Sequence, residues 1–141
     1  LFDSIMDMNG KLAGLLKDAL VLEYSDVFLY PREAKIVEDK EISDKFNQFG
    51  LMEVRHADII SMKLLELGEN PVWNFTLLRG DAPLKDIAKY HLDKEKEMIT
   101  VYSECIEATD DDNFKIVLMG IKADEELHLR FIEAILKKFN W

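Results

Sequence analysis

The sequence predicts an all-α fold: a four-helix bundle of two antiparallel helix hairpins joined by a long crossover. Apolar residues recur at helical spacing along almost the whole chain, and no alternating run resembles a strand. Two connections, near 38–43 and 109–113, are short enough to close hairpins. The middle connection, GENPVWNFTLLRGDAP, is rich in Gly and Pro. At about 15 residues it spans roughly 50 Å when extended, more than the about 37 Å length of a helix of about 25 residues. It can therefore cross the bundle from end to end.

The elements follow in order. A first helix is predicted over about 10–37, with Pro31 expected to kink it just after Tyr30. A second runs from a Ser43 or Asp44 cap to Gly68, a good C-terminal stop. Pro83 suits the first turn of a third helix that continues to about Thr109. TDDDN then forms a capping loop before a fourth helix to about Asn140. The expected organisation is one domain over residues 1–141. Its first hairpin lies at about 10–67, its crossover at 68–82 and its second hairpin at about 83–140.

Composition narrows the function. Of 141 residues, 48% are hydrophobic and 33% charged, a soluble globular balance. The net charge of −10 disfavours nucleic acid and anionic membrane as partners and suits cations. No uncharged apolar run approaches the roughly 18 residues of a membrane span. The opening LFDSIMDMNG lacks a basic-then-apolar signal peptide, and without an initiator Met a trimmed start is expected. A single cysteine, Cys105, cannot form an internal disulfide and fits a cytoplasmic location.

The core seams carry the chemistry. Helix 1 presents Leu16, Leu20, Glu23, Val27, Tyr30 and Ala34; helix 3 presents Ala88, Leu92, Glu95, Ile99, Tyr102 and Ile106. Helix 2 presents Phe46, Phe49, Glu53, His56, Ile60 and Leu64; helix 4 presents Leu118, Ile121, Glu125, His128, Ile132 and Leu136. Glu23 and Glu95, Tyr30 and Tyr102, Glu53 and Glu125, and His56 and His128 are each separated by 72 positions. Both halves thus read Glu-x6-Tyr followed by Glu-x-x-His, as expected for two like hairpins about a pseudo-twofold axis.

Four glutamates at one level of a core would repel, and an unpaired buried carboxylate costs several kcal/mol or takes up a proton. Two divalent cations resolve the conflict, since their charge of +4 matches four carboxylates with neutral imidazoles. Residues i and i+3 share a helix face, so Glu53 with His56, and Glu125 with His128, can each reach one ion. One Glu from each of two helices plus Glu-x-x-His from the other two is the dimetal carboxylate pattern of helical bundles. The mixed oxygen and nitrogen donors suit iron, with manganese next. A single Glu-x-x-His is a weak signal that more often decorates a surface. Two on apolar seams, with two further seam glutamates at matched offsets, outweigh an exposed ion-pair face or a decayed site.

Other residues carry less. His91 lies off the seam as judged from Ala88 and is expected at the surface. Glu97 and Glu126 are expected to be solvated, and Cys105 to be a small packing residue. Trp73 and Phe75 suit a core or interface rather than a cofactor box. Tyr30 and Tyr102 are expected to bond their hydroxyls to ligand carboxylates.

EVRHADII with LLELGENP, HLDKEKEMITVYSECI and DEELHLRFIEAI resemble the second, third and fourth helices of the ferritin-like superfamily, in its bacterioferritin and rubrerythrin branches. The resemblance implies that Glu23, Glu53 and His56 hold one iron and Glu95, Glu125 and His128 the other, with Glu53 and Glu125 bridging. It implies reaction of the ferrous pair with hydrogen peroxide or dioxygen, an unidentified electron donor, and a homo-oligomer, dimer or larger. Four departures stand out. Val54 occupies the place of the bacterioferritin haem-ligating Met, so no haem is expected. Met98 replaces an additional rubrerythrin carboxylate on helix 3, and one Cys cannot supply a rubredoxin domain. The chain stops just after helix 4, without the short fifth helix of cage ferritins, and the expectation is against a 24-subunit cage. Asp124 resembles a residue that orients the helix-2 His, while its counterpart is Met52, so that support is expected on one side only. The expected function is a diiron oxidoreductase; the alternatives are an iron-storage ferroxidase subunit or a metal-binding bundle without turnover.

Overall fold

A computed structural model describes residues 2–72, 74–75 and 82–141, with side chains from Met8 onward. Trp73 lies outside the described residues. Among the described residues there are four helices: α1 (Phe2–Ile36), α2 (Lys40–Glu66), α3 (Leu84–Ala108) and α4 (Asp112–Lys138).

Their ends follow local chemistry. Asp39 caps α2 by accepting from the Ile42 amide, so the helix starts earlier than a Ser43 or Asp44 cap predicts. Ser43 instead donates its hydroxyl to the Ala34 carbonyl, tying α2 back to α1, and Asp44 pairs with Lys40. Gly68, at φ 79°, follows α2 in the left-handed region, the expected stop. Pro83 is the N-cap of α3, and Asp111 caps α4 through the Phe114 amide. The first helix begins well before the expected position 10. Pro31 lies inside continuous α1, and its ring packs against Gly50 of α2. A Cβ at Gly50 would sit 2.8 Å from Pro31 Cγ, so only glycine permits this approach.

Cross-helix contacts define the topology. Tyr24 meets Ser61 and Lys17 meets Glu69, so α2 runs antiparallel to α1. Tyr30 meets Glu95 and Tyr102 meets Glu23, so α3 is also antiparallel to α1. Met52 meets His128 and Lys63 meets Asp111, which opposes α4 to α2. Helices α2 and α3 are therefore parallel, so the chain passes from one end of the bundle to the other between Glu66 and Leu84, as predicted.

Two apolar clusters fill the interior. One contains Leu16, Leu20, Ile60, Leu64, Leu118 and Cys105 among others, and the second contains Phe46, Phe49, Ala88 and Ile132. The polar seam residues form a layer between them. Apolar packing above and below buries that layer, the condition under which ionic interactions are strongest. Among the described residues, no helix is long and apolar enough to cross a membrane.

Candidate metal centre

Each helix contributes to the layer: Glu23 from α1, Glu53 and His56 from α2, Glu95 from α3, Glu125 and His128 from α4. All six are at most 1% exposed. Ligand atoms of Glu23, Glu53, His56 and Glu125 lie within 4.8 Å of one another, and so do those of Glu53, Glu95, Glu125 and His128. Glu53 and Glu125 belong to both groups. The 72-residue repeat therefore becomes a spatial one, with two equivalent positions sharing two central carboxylates.

The imidazoles point inward by the same atom. His56 Nδ1 lies 2.8 Å from Glu125 and 3.3 Å from both Glu23 and Glu53. His128 Nδ1 lies 3.3 Å from Glu125, 3.5 Å from Glu53 and 3.6 Å from Glu95. Behind the rings the halves differ, as the sequence predicts. His56 Nε2 is 2.8 Å from the Asp124 carboxylate, whereas His128 Nε2 faces the Met52 sulfur at 3.4 Å. A carboxylate is a strong acceptor for an imidazole N–H and a thioether is a weak one. Asp124 thus fixes the His56 tautomer more firmly than Met52 fixes that of His128.

The tyrosines cross the pseudo-twofold axis. Tyr30 donates to Glu95 Oε1 at 2.7 Å, and Tyr102 to Glu23 Oε1 at 2.6 Å. The hydroxyl–carboxylate bonds expected from the sequence are both present. Each uses one oxygen and leaves the other, Oε2 of Glu23 and of Glu95, buried without a partner. Both oxygens of Glu53, Oε2 of Glu125 and Nδ1 of His128 are also unpartnered. So many orphaned buried acceptors are costly in a folded protein and mark where a positive charge belongs.

With protein groups alone, protons serve as the counterions. Burial pushes Glu53 well above the usual carboxylate range, helped by repulsion from Glu125, Glu23 and Glu95. Burial, with Glu125 next, raises Glu95 to about 8. Burial and Glu23 also act to raise Glu125, but its close polar contacts with Glu95, His128 and His56 outweigh them and hold it below its ordinary value. Burial disfavours the charged imidazoles, yet close contact with Glu125 and its neighbours raises His56 to about 11 and His128 to about 9.

One sequence expectation is overturned. His91 is fully buried rather than at the surface. It stacks on Tyr30 with ring centroids 4.0 Å apart, and its Nε2 lies 2.6 Å from Glu33. Its Nδ1 is 3.6 Å from Asp26, a buried carboxylate with no hydrogen-bond partner on either oxygen. Burial raises the Asp26 carboxyl well above its ordinary value; His91 opposes this, and Glu95 adds to it. For His91, burial acts to lower the ring, but Asp26 and Glu33 outweigh it and raise it. Comparison with Ala88 placed His91 off the seam; its i+4 spacing to Glu95 was the signal that places it inward. Asp26 likewise follows Glu23 by three. Other expectations hold: Glu97 is exposed and pairs with Lys94, and buried Cys105 packs in the core, where burial lifts its thiol to about 12.

Residues 14–136 match the sequence profile of the rubrerythrin family. No curated protein matches the chain. Among solved structures, the Desulfovibrio desulfuricans bacterioferritin superposes with a TM-score of 0.82 at 21% identity, over 94% of this chain and 83% of that one. A ferritin-like diiron-carboxylate protein from Bacillus anthracis gives 0.83 at 22% identity, over 92% and 97%. The Mycobacterium tuberculosis bacterioferritin gives 0.80 at 23% identity, over 92% and 86%. The bundle is thus a ferritin-like one.

Proposed function

The chain belongs to the rubrerythrin family, and from that premise we propose that it is a non-haem diiron oxidoreductase acting on hydrogen peroxide or dioxygen. One observation carries the proposal: four buried glutamates and two inward imidazole nitrogens converge in two overlapping groups, with most of their acceptor atoms unsatisfied.

In this proposal Glu23, Glu53 and His56 hold one iron, Glu95, Glu125 and His128 hold the other, and Glu53 and Glu125 serve both. When bound as a ferrous pair, iron supplies two electrons to the oxidant. Tyr30 and Tyr102 occupy the outer oxygens of Glu95 and Glu23 and keep the inner ones available. Asp124 accepts from His56 Nε2–H and presents the Nδ1 lone pair to the centre. Binding displaces the protons held on His56, His128 and the raised carboxyls, so metal uptake releases acid. Manganese is the next candidate by donor type. Val54 stands where the resemblance requires a haem-ligating Met, and haem is not assigned.

The test is reconstitution under anaerobic conditions with ferrous iron, elemental analysis, then stopped-flow mixing with each oxidant. Two irons per chain and rapid oxidation are expected. A stoichiometry below one, or a loaded centre inert to both oxidants, overturns the proposal. An iron-storage subunit would use the same six ligands, and the likeness of its fold to two bacterioferritins keeps that alternative open. Solution mass separates them: a dimer favours the oxidoreductase, a large shell favours storage.

A further inference from the structure

Beside the six central residues lie Asp26, Glu33 and His91, three buried polar residues that the diiron proposal does not use. We infer that Asp26, His91 and Glu95 form a third binding position for a divalent first-row cation, adjoining the pair through Glu95. Ligand atoms of these three buried residues lie within 4.8 Å of one another.

The hydrogen-bond inventory points to a cation. Glu33 lies 2.6 Å from His91 Nε2, where it accepts that N–H, so the neutral ring turns the Nδ1 lone pair toward Asp26. A carboxylate backing the far nitrogen is the arrangement of metal-bound histidines. Asp26 is 1% exposed, and neither oxygen has a partner; His91 Nδ1 has none either. An unpartnered carboxylate oxygen and an unpartnered ring nitrogen therefore face each other across 3.6 Å, too long for a hydrogen bond. Two ligand atoms bound tetrahedrally at about 2.1 Å from one ion lie about 3.4 Å apart, close to that separation.

The repeat shows that the cluster is an addition rather than a requirement of the fold. Displaced by 72 positions, Asp26 corresponds to Met98, Glu33 to Cys105 and His91 to Ala19. All three counterparts are fully buried and apolar. The same seats are thus filled by ordinary packing in one half and by three ionisable groups in the other. Charge agrees: Glu23, Asp26, Glu33, Glu53, Glu95 and Glu125 are six carboxylates. Two divalent ions leave a deficit of two charges, which a third divalent ion removes.

Crystals of the native protein soaked with cobalt(II), and a parallel equilibrium titration with cobalt(II), test this position separately from the central pair. Three ions per chain are expected, with an anomalous peak between Asp26 and His91 Nδ1. Asp26→Asn, which keeps the volume, and His91→Gln should each lower the count to two and remove only that peak. Two ions with no peak beside Asp26 would overturn the third position and leave the pair intact; the cluster would then be a buried imidazolium between two carboxylates. Uptake of no cobalt would overturn both. Should a variant fail to fold, the anomalous map of the native protein decides alone.

Discussion

Glu53→Gln should make the metal-free protein more stable, by an amount that grows with pH. Both Glu53 oxygens are buried without a partner. Burial first, then Glu125, Glu23 and Glu95, raise its carboxyl well above the ordinary value of 4.5. The folded protein therefore keeps a proton that the unfolded chain gives up. The corresponding stability is fully present below pH 4.5 and is lost as pH rises toward the folded value. The loss is about 1.4 kcal/mol per unit. Each pH unit between the two values is therefore worth roughly 5 °C in melting temperature for a chain of this size. Gln has nearly the shape of the protonated acid and does not titrate. In chelator, the two proteins should melt together near pH 4.5, and the variant should melt progressively higher as pH rises. With ferrous iron or cobalt(II) in excess the order should reverse, because native protein gains about 2.7 kcal/mol from each site at a hundredfold excess over its dissociation constant. Circular-dichroism melts at several pH values, with and without metal, measure both effects. Parallel pH profiles for the two metal-free proteins would refute the account of Glu53 as an ionisable group held in a dry core.

Three further outcomes are expected. Glu53→Ala and Glu125→Ala should each lose the coupled pair, while Glu23→Ala and Glu95→Ala should each keep about one central metal, as read by elemental analysis. Asp124→Ala should weaken the position at His56 by about 10–100-fold in metal titrations and leave the position at His128 nearly unchanged, since only the first is backed by a carboxylate. Gly50→Ala should lower the melting temperature despite its better helix propensity, because the new Cβ would meet Pro31 Cγ at 2.8 Å; overpacking of this kind costs about 1–3 kcal/mol, and an unchanged melting temperature would show that α1 and α2 separate freely there.

The six central residues were legible because helical periodicity is a local property. Spacings of three and four place Glu53 with His56 and Glu125 with His128 on one face whatever the tertiary fold. Apolar neighbours such as Ile60 and Ile132 then mark that face as buried. The tyrosine bonds were legible for the same reason, since Tyr30 and Tyr102 share their seams with Glu23 and Glu95. The start of α2 was not. Asp39, Ser43 and Asp44 are all competent caps, and Ser43 is diverted only because the Ala34 carbonyl of α1 lies beside it.

Periodicity, connection length and the repeat sufficed to set four helices, a crossover between parallel α2 and α3, and one polar layer between two apolar ones. Which oxygen faces which nitrogen required the assembled bundle. Tyr30 bonds the glutamate of α3 rather than its own helix's Glu23, and Tyr102 does the converse, because the hairpins pack about an axis that no local pattern encodes. The cluster of Asp26, Glu33 and His91 was hidden for a related reason. Each residue sits one step around its helix from the main seam, at an angle where a side chain faces solvent in a lone hairpin. Packing of α3 against α1 closes that flank, and burial then turns three ordinary polar residues into a group that demands a counter-charge.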